Sequence, residues 1–143
     1  MTVKAILDEK GRAVTTIPAD KTLAEAAALL ADHGIGAVVV TNDKMRIDGI
    51  LSERDIVRAI GRKGAIVLEQ PVSKIMTADV QVCRESHTVN DVMQMMTAGR
   101  FRHLPVEDNG RLAGLVSIGD VVKRRIQEVE REAEDIRTYI ASA

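Results

Sequence analysis

Apolar and polar positions along this chain follow one pattern that occurs twice. Leu23, Ala26, Ala27 and Leu30 fall on one stripe of a helix opened by the capping box Thr22-x-x-Glu25. Val89, Val92, Met93 and Met96 repeat the stripe behind Thr88 and Asp91. After each helix a short β-branched run, Ala37 to Val40 and then Leu104 to Val106, predicts a strand. Asp108-Asn109-Gly110 tolerates the positive φ of a tight turn, so residues 104–106 are expected to pair antiparallel with 112–116; the first copy has the looser Thr41 to Asp48. The next strand, at Ile50-Leu51 or Leu115-Val116, runs straight into Ser52 or Ser117 and a second helix. A further strand is expected ahead of each first helix, at Val14 to Ile17 and Val80 to Cys83. Each copy therefore reads strand, helix, strand, strand, helix.

The copies align at an offset of 65 between Gly49 and Gly114 and of 66 between Thr22 and Thr88. Lead-in segments Val3 to Leu7 and Val72 to Met76 correspond at an offset of 69, so the first copy carries three additional residues after its lead-in. Gly61 to Gly64 and Pro71 mark a linker, which gives residues 1–62 as the first domain with its lead-in helix, 63–71 as the linker and 72–143 as the second domain. The fold class is α+β. Each half alone leaves a sheet face bare, so two halves are expected to cover each other about a pseudo-twofold axis, with paired clefts where they meet. Beyond the repeat, Val122, Ile126, Val129, Ala133, Ile136 and Ile140 recur at spacings of four and three, predicting a long helix whose seam docks on its own domain or on a second chain.

Composition narrows the function classes. A net charge of −1 and a single pair of aromatics, Phe101 and Tyr139, give neither the clustered cations nor the stacking platform that nucleic acid requires. Cys83 stands alone, so no intrachain disulfide or Cys-x-x-Cys site forms, and a reducing cytoplasm is the expected location. No segment approaches the roughly 20 apolar residues that span a bilayer. His33, His87, His103 and Cys83 have no compact metal-site spacing, and neither a nucleophile elbow nor a phosphate-binding P-loop is present.

Ser52-x-x-Asp55 and Ser117-x-x-Asp120 carry two readings. Both are ordinary capping boxes, yet the start of a helix offers free N–H groups to an anion, and an aspartate beside it can accept the hydroxyls of a ribose. Arg54 places a cation in a first turn, where the helix dipole disfavours it by about 0.3–1 kcal/mol unless an anion is near. Gly119 costs about 1 kcal/mol against Ala inside a helix and leaves the backbone bare for close approach. Arg100-Phe101-Arg102-His103 stands where the first copy has Gly34-Ile35-Gly36-Ala37, making the second copy the more cationic at this strand entrance. Solvated surface arginines and a phosphate clamp are the two alternatives there.

Tandem Gly-h-h-Ser-x-x-Asp runs (h, apolar), each behind a strand-helix-strand unit, with Arg102-His103-Leu104-Pro105-Val106 in the second copy, resemble the cystathionine-beta-synthase (CBS) domain family, whose paired domains form a Bateman module. The resemblance covers nearly the whole chain, although the first copy has Val39 in the place of Pro105. It implies adenosine-containing ligands (AMP, ADP, ATP or NAD(H)) and no catalytic cofactor or metal. Asp55 and Asp120 would hold the ribose, with Ser52, Ser117 and the neighbouring backbone, bare at Gly119, near ribose and phosphate; Arg54, Arg100, Arg102 and His103 are the phosphate candidates, Arg54 on its charge and position alone, since it occupies a variable place of the signature. Thr16 and Thr77 would touch the nucleoside, and the strand around Pro105 would meet the adenine. Similar stand-alone pairs look like homodimers. The implied role is a ligand sensor without chemistry of its own, whose regulated partner protein is not encoded visibly. The alternatives are a structural dimerisation module with unoccupied clefts and, last, a nucleotide-processing enzyme.

Overall fold

All four expected capping boxes form in the computed structural model of the chain, which describes residues 1–142. They start helices α2 (Leu23–His33), α3 (Glu53–Lys63), α4 (Val89–Gly99) and α5 (Ile118–Ser142). In each, a Ser or Thr hydroxyl accepts the backbone N–H three residues on, and the acid there accepts the N–H of the cap. Helix α1 (Val3–Lys10) is capped by Thr2 and closes on Gly11.

Residues 13–82 together with 107–113 make one compact unit. Its sheet has the order β1 (Thr16–Ile17), β2 (Ala37–Thr41), β3 (Ile47–Ser52), with β1 parallel and β3 antiparallel to β2. Ile17, Val38, Val40 and Leu51 point from one sheet face into a core closed by Leu23, Ala26 and Leu30 of α2, Ile56 of α3, Val67 and Val72. Strand β2 is buried throughout, as its apolar run requires.

The second compact unit comprises residues 1–12, 83–106 and the chain from 114 onward. Its buried side chains include Val3, Ile6 and Leu7 of α1, Cys83, Val92 and Met96 of α4, and Val121 of α5. Strands β4 (His103–Asp108) and β5 (Arg111–Ser117) form the expected hairpin, turning through Asn109 and Gly110 at φ 50° and 80°.

The lead-in segments explain why these units are not contiguous in sequence: each lead-in is pinned to the helix start of the other copy. Val3 N–H donates to the His87 carbonyl (2.9 Å) and Val89 N–H to that of Met1 (3.0 Å). At the equivalent places Val72 N–H donates to Lys21 (2.7 Å) and Leu23 N–H to Gln70 (2.9 Å). The repeat's conserved-in-place glycines receive the exchanged side chains. A Cβ on Gly49 would lie 2.6 Å from Met76 Sδ, and one on Gly114 would lie 2.8 Å from Leu7 Cδ1.

Two expected strands shrink. The first opening strand is confined to Thr16–Ile17, and Val80 to Cys83 reduces to one parallel bridge between Cys83 and Val106. Proline is the physical reason for the second. In the first copy Val39 N–H donates to the Thr15 carbonyl (3.3 Å), whereas its counterpart Pro105 has no N–H to give.

Candidate functional site

Strand β3 delivers Ser52 to the start of α3. Ser52 N–H donates to Asp55 Oδ2 (2.9 Å), and Asp55 N–H donates to Ser52 Oγ (3.2 Å). Ser117 and Asp120 repeat the geometry at the start of α5 with the same two distances, 2.9 and 3.2 Å. Both aspartates are half-buried, and in each the cap bond goes to Oδ2. As helix caps they are satisfied; the other carboxylate oxygen and the first-turn N–H groups are what they offer to a solute.

In the first unit Thr16, Val39, Ile50 and Thr77 lie in one row across the sheet. Thr16 pairs with Val39, Val39 with Ile50, and Ile50 bridges to Thr77 through hydrogen bonds of 3.0 and 2.9 Å. Ser52 lies two residues beyond Ile50 and so shares this face, which is opposite to the core face. Thr77 is therefore one strand from the Ser52 strand, while Thr16 sits three strand spacings from Thr77, roughly 14 Å away. Arg54, in the first turn of α3, is exposed.

The second unit carries Arg100 and Arg102 where the first copy has glycines. The Arg102 carbonyl accepts Ile118 N–H (2.8 Å), tying the strand entrance to the start of α5; in the first copy the Gly36 carbonyl accepts Glu53 N–H (2.9 Å). Arg100 caps α4 at φ 56°, ψ 40°, where the first copy has Gly34 at φ 61°, ψ 38°. A left-handed conformation is natural for glycine and strained for arginine. Arg100 and Arg102 are exposed, His103 is half-buried and engaged, and Pro105 is buried with its carbonyl accepting Cys83 N–H (2.9 Å). Gly119 has open surroundings: an added Cβ would meet only Ser117 Oγ at 3.6 Å.

One residue that sequence reasoning did not find stands at this site. Lys10 Nζ donates to Asp120 Oδ2 (2.7 Å) and to the Leu115 carbonyl (3.0 Å). Leu115 corresponds to Ile50, whose carbonyl accepts the backbone N–H of Thr77. The ammonium in one copy thus replaces an amide in the other. The sequence signal was the three additional residues after the first lead-in, which carry α1 on to Lys10. Burial works against ionisation of Asp120, but the hydrogen bond from Lys10, the Ser117 backbone N–H and the Lys10 charge together hold its carboxyl below the usual range. No cluster of three or more His, Cys, Asp or Glu suited to a metal occurs among the described residues, and no helix among them is long and apolar enough to cross a membrane.

Comparison with known proteins agrees with this twofold arrangement. The CBS domain profile matches residues 3–62 and 72–126. The crystal structure of a CBS-domain-containing protein from Agrobacterium tumefaciens is 52% identical, with a TM-score of 0.85 over 87% of this chain and 99% of that one. An uncharacterized 17.7 kDa protein from Acidianus ambivalens is 39% identical over 77% of this chain and 66% of its own length. This chain spans only 23% of some longer plant relatives. The CBS domain pair of protein MJ0100, solved in complex with 5′-methylthioadenosine and S-adenosyl-L-methionine, matches at 25% identity and a TM-score of 0.77, over 86% of this chain and 98% of that one.

Proposed function

The chain belongs to the CBS-domain family as a tandem pair, and from that premise we propose that it is a regulatory module that binds an anionic adenosine nucleotide. The observation that carries this reading is the repeated Ser-x-x-Asp helix start, with the same two hydrogen-bond distances in both copies and joined in the second by Lys10. A relative's CBS pair holds adenosine ligands. One of these, S-adenosyl-L-methionine, carries a positive sulfonium; the Lys10 ammonium at Asp120 disfavours such a ligand and favours AMP, ADP, ATP or NAD(H). Asp55 and Asp120 accept the ribose hydroxyls, Ser52, Ser117 and the bare backbone at Gly119 lie near ribose and phosphate, and Arg54, Arg100, Arg102 and His103 face phosphate. Thr16, Thr77 and the strand at Pro105 supply nucleoside contacts. The module does no chemistry of its own. It works in the cytoplasm by shifting how a partner or a second copy is engaged, through a ligand's different affinity for two states.

A second reading, a structural module whose sites stay vacant, is favoured by one specific observation: Asp120 already has a cationic partner in Lys10. Isothermal titration with AMP, ADP, ATP, NAD(H) and S-adenosyl-L-methionine separates the two. The expected result is binding of an anionic member, weakened by about 1.5–3 kcal/mol in Asp55→Ala or Asp120→Ala. Absence of heat for every ligand rejects the sensor; unchanged affinity in both variants reduces the two aspartates to helix caps.

A further inference from the structure

Helix α5 uses two different faces along its length. Val121, Arg124 and Glu128 turn toward the rest of the second unit: Val121 is buried, Arg124 donates to the Ala5 carbonyl (2.9 Å) and pairs with Glu9 (2.8 Å), and Glu128 meets the N-terminal ammonium (3.5 Å). The heptad seam lies about a third of a turn round from that face, at 100° per residue. It is left outside. Val122 is 42% exposed, Ile126 53%, Val129 48%, Ile136 60% and Ile140 68%, an apolar stripe three heptads long on a helix exposed at every residue from 134 to 142.

Spacing fixes the register of this stripe. With Ile126, Ala133 and Ile140 at a, residues Val122, Val129 and Ile136 take d, Arg125 and Glu132 take g, and Lys123, Glu130 and Arg137 take e. Two parallel, in-register copies then bring each g residue to the e residue five positions on in the partner helix. Arg125 meets Glu130 and Glu132 meets Arg137, opposite charges at both contacts. An antiparallel pairing with full overlap sets e against e and g against g, which brings together Glu130 with Glu130, Glu132 with Glu132 and Lys123 with Arg137. The flanking charges therefore choose the occupant and its direction.

We propose that this face of α5 is the interface for a second copy of the chain, paired as a parallel, in-register two-stranded coiled coil. The proposal is independent of what the Ser-x-x-Asp sites bind. Ala133, small at the middle a position, keeps the association modest and adjustable, since truncated core positions weaken a coiled coil.

Cross-linking of single-cysteine variants tests orientation and face together, because Cys83 is buried and does not compete. Ile136→Cys at d opposes its own copy only in the parallel arrangement. The expected result is rapid disulfide-linked dimer for Ile136→Cys under mild oxidation, little for Arg131→Cys on the far side of the helix, and loss of the Ile136→Cys product on adding Glu130→Arg, with recovery when Arg125→Glu is added as well. Sedimentation of Ala133→Leu should show at least tenfold tighter dimerisation. Equal cross-linking at residues 131 and 136, or no response to the charge reversals, overturns the proposal.

Discussion

The two Ser-x-x-Asp helix starts have the same internal hydrogen bonds and different neighbours, and the neighbours set what each can do. At Ser52 and Asp55 the adjoining strand carbonyl, that of Ile50, is taken by the neutral N–H of Thr77. At Ser117 and Asp120 the equivalent carbonyl, that of Leu115, takes the Lys10 ammonium, which also reaches the carboxylate. Duplication preserved the cap while the exchanged lead-ins diverged, one ending in extended chain and the other in an extra helical turn. A repeated motif thus fixes the local backbone, and the charge of its site comes from a segment far away in sequence.

The widest predicted difference between equivalent positions is at Cys83, which occupies the place of Ile17; both are buried. Burial pushes the Cys83 thiol up to about 12. Because the folded value lies above the unfolded one, stability is complete below the ordinary thiol range and is lost as pH rises toward the folded value. The span corresponds to on the order of 4 kcal/mol. Urea denaturation of wild type and Cys83→Val between neutrality and pH 11 checks this: the wild type is expected to weaken more steeply, and parallel curves would remove the thiolate from the account.

Next in size are the paired glycines. A Cβ on Gly49 meets Met76 Sδ at 2.6 Å and the backbone oxygen of Thr77 at 2.8 Å, whereas one on Gly114 meets only the ends of the Leu7 side chain, at 2.8 and 2.9 Å. A side-chain tip can rotate; a strand carbonyl held by its own bridge cannot. Gly49→Ala is therefore expected to cost about 2–3 kcal/mol and Gly114→Ala about 1 kcal/mol. Equal costs in equilibrium unfolding would show that the two lead-ins yield alike.

How much of this was legible beforehand follows from where each feature's cause resides. Helices α2 to α5, their caps and the 104–116 hairpin are specified by residues within a few positions of one another, so periodicity, Thr-x-x-Glu and Asn-Gly were sufficient. The family resemblance was readable in the Gly-h-h-Ser-x-x-Asp runs, and the matched domains bear it out. The lead-in exchange was not readable, because pairing of residues 3 with 87 or 72 with 21 depends on which copy the segment meets in space. Lys10 was hidden for the same reason: 110 positions separate it from Asp120. Loss of the Val80 to Cys83 strand was decidable in principle, since Pro105 lacks the donor that Val39 uses.

Lys10→Met sharpens the charge difference at a smaller scale. The folded Asp120 carboxyl lies below its unfolded value, so its contribution is present above the ordinary carboxylate range and is lost as pH falls through the folded value. Lys10 and Asp120 are 38% and 23% exposed, which limits the pair to about 0.5–1 kcal/mol. The variant should be less stable than wild type by that amount at neutral pH, and the two should converge once the pH has fallen below the folded value of Asp120. Should the sensor reading hold, the same variant also weakens binding of AMP or ATP while improving that of S-adenosyl-L-methionine.

The smallest effect distinguishes strain from function at the helix ends. Gly34 and Arg100 hold the same left-handed conformation, at φ 61° and 56°, with their N–H groups donating to the preceding helical turn. Glycine reaches this region without penalty, and a β-carbon there costs about 0.5–1 kcal/mol. Arg100→Gly is thus expected to raise stability by about that amount, and Gly34→Arg to lower it by the same, since neither Cβ meets a rigid neighbour at Gly34. An arginine kept at a position better served by glycine needs a compensating use, which a bound phosphate supplies. Stabilised Arg100→Gly with reduced nucleotide affinity would tie the strain to the ligand; stabilisation with unaltered affinity would reduce Arg100 to a solvated cap and leave Arg102 and Lys10 as the cations that separate the second copy from the first.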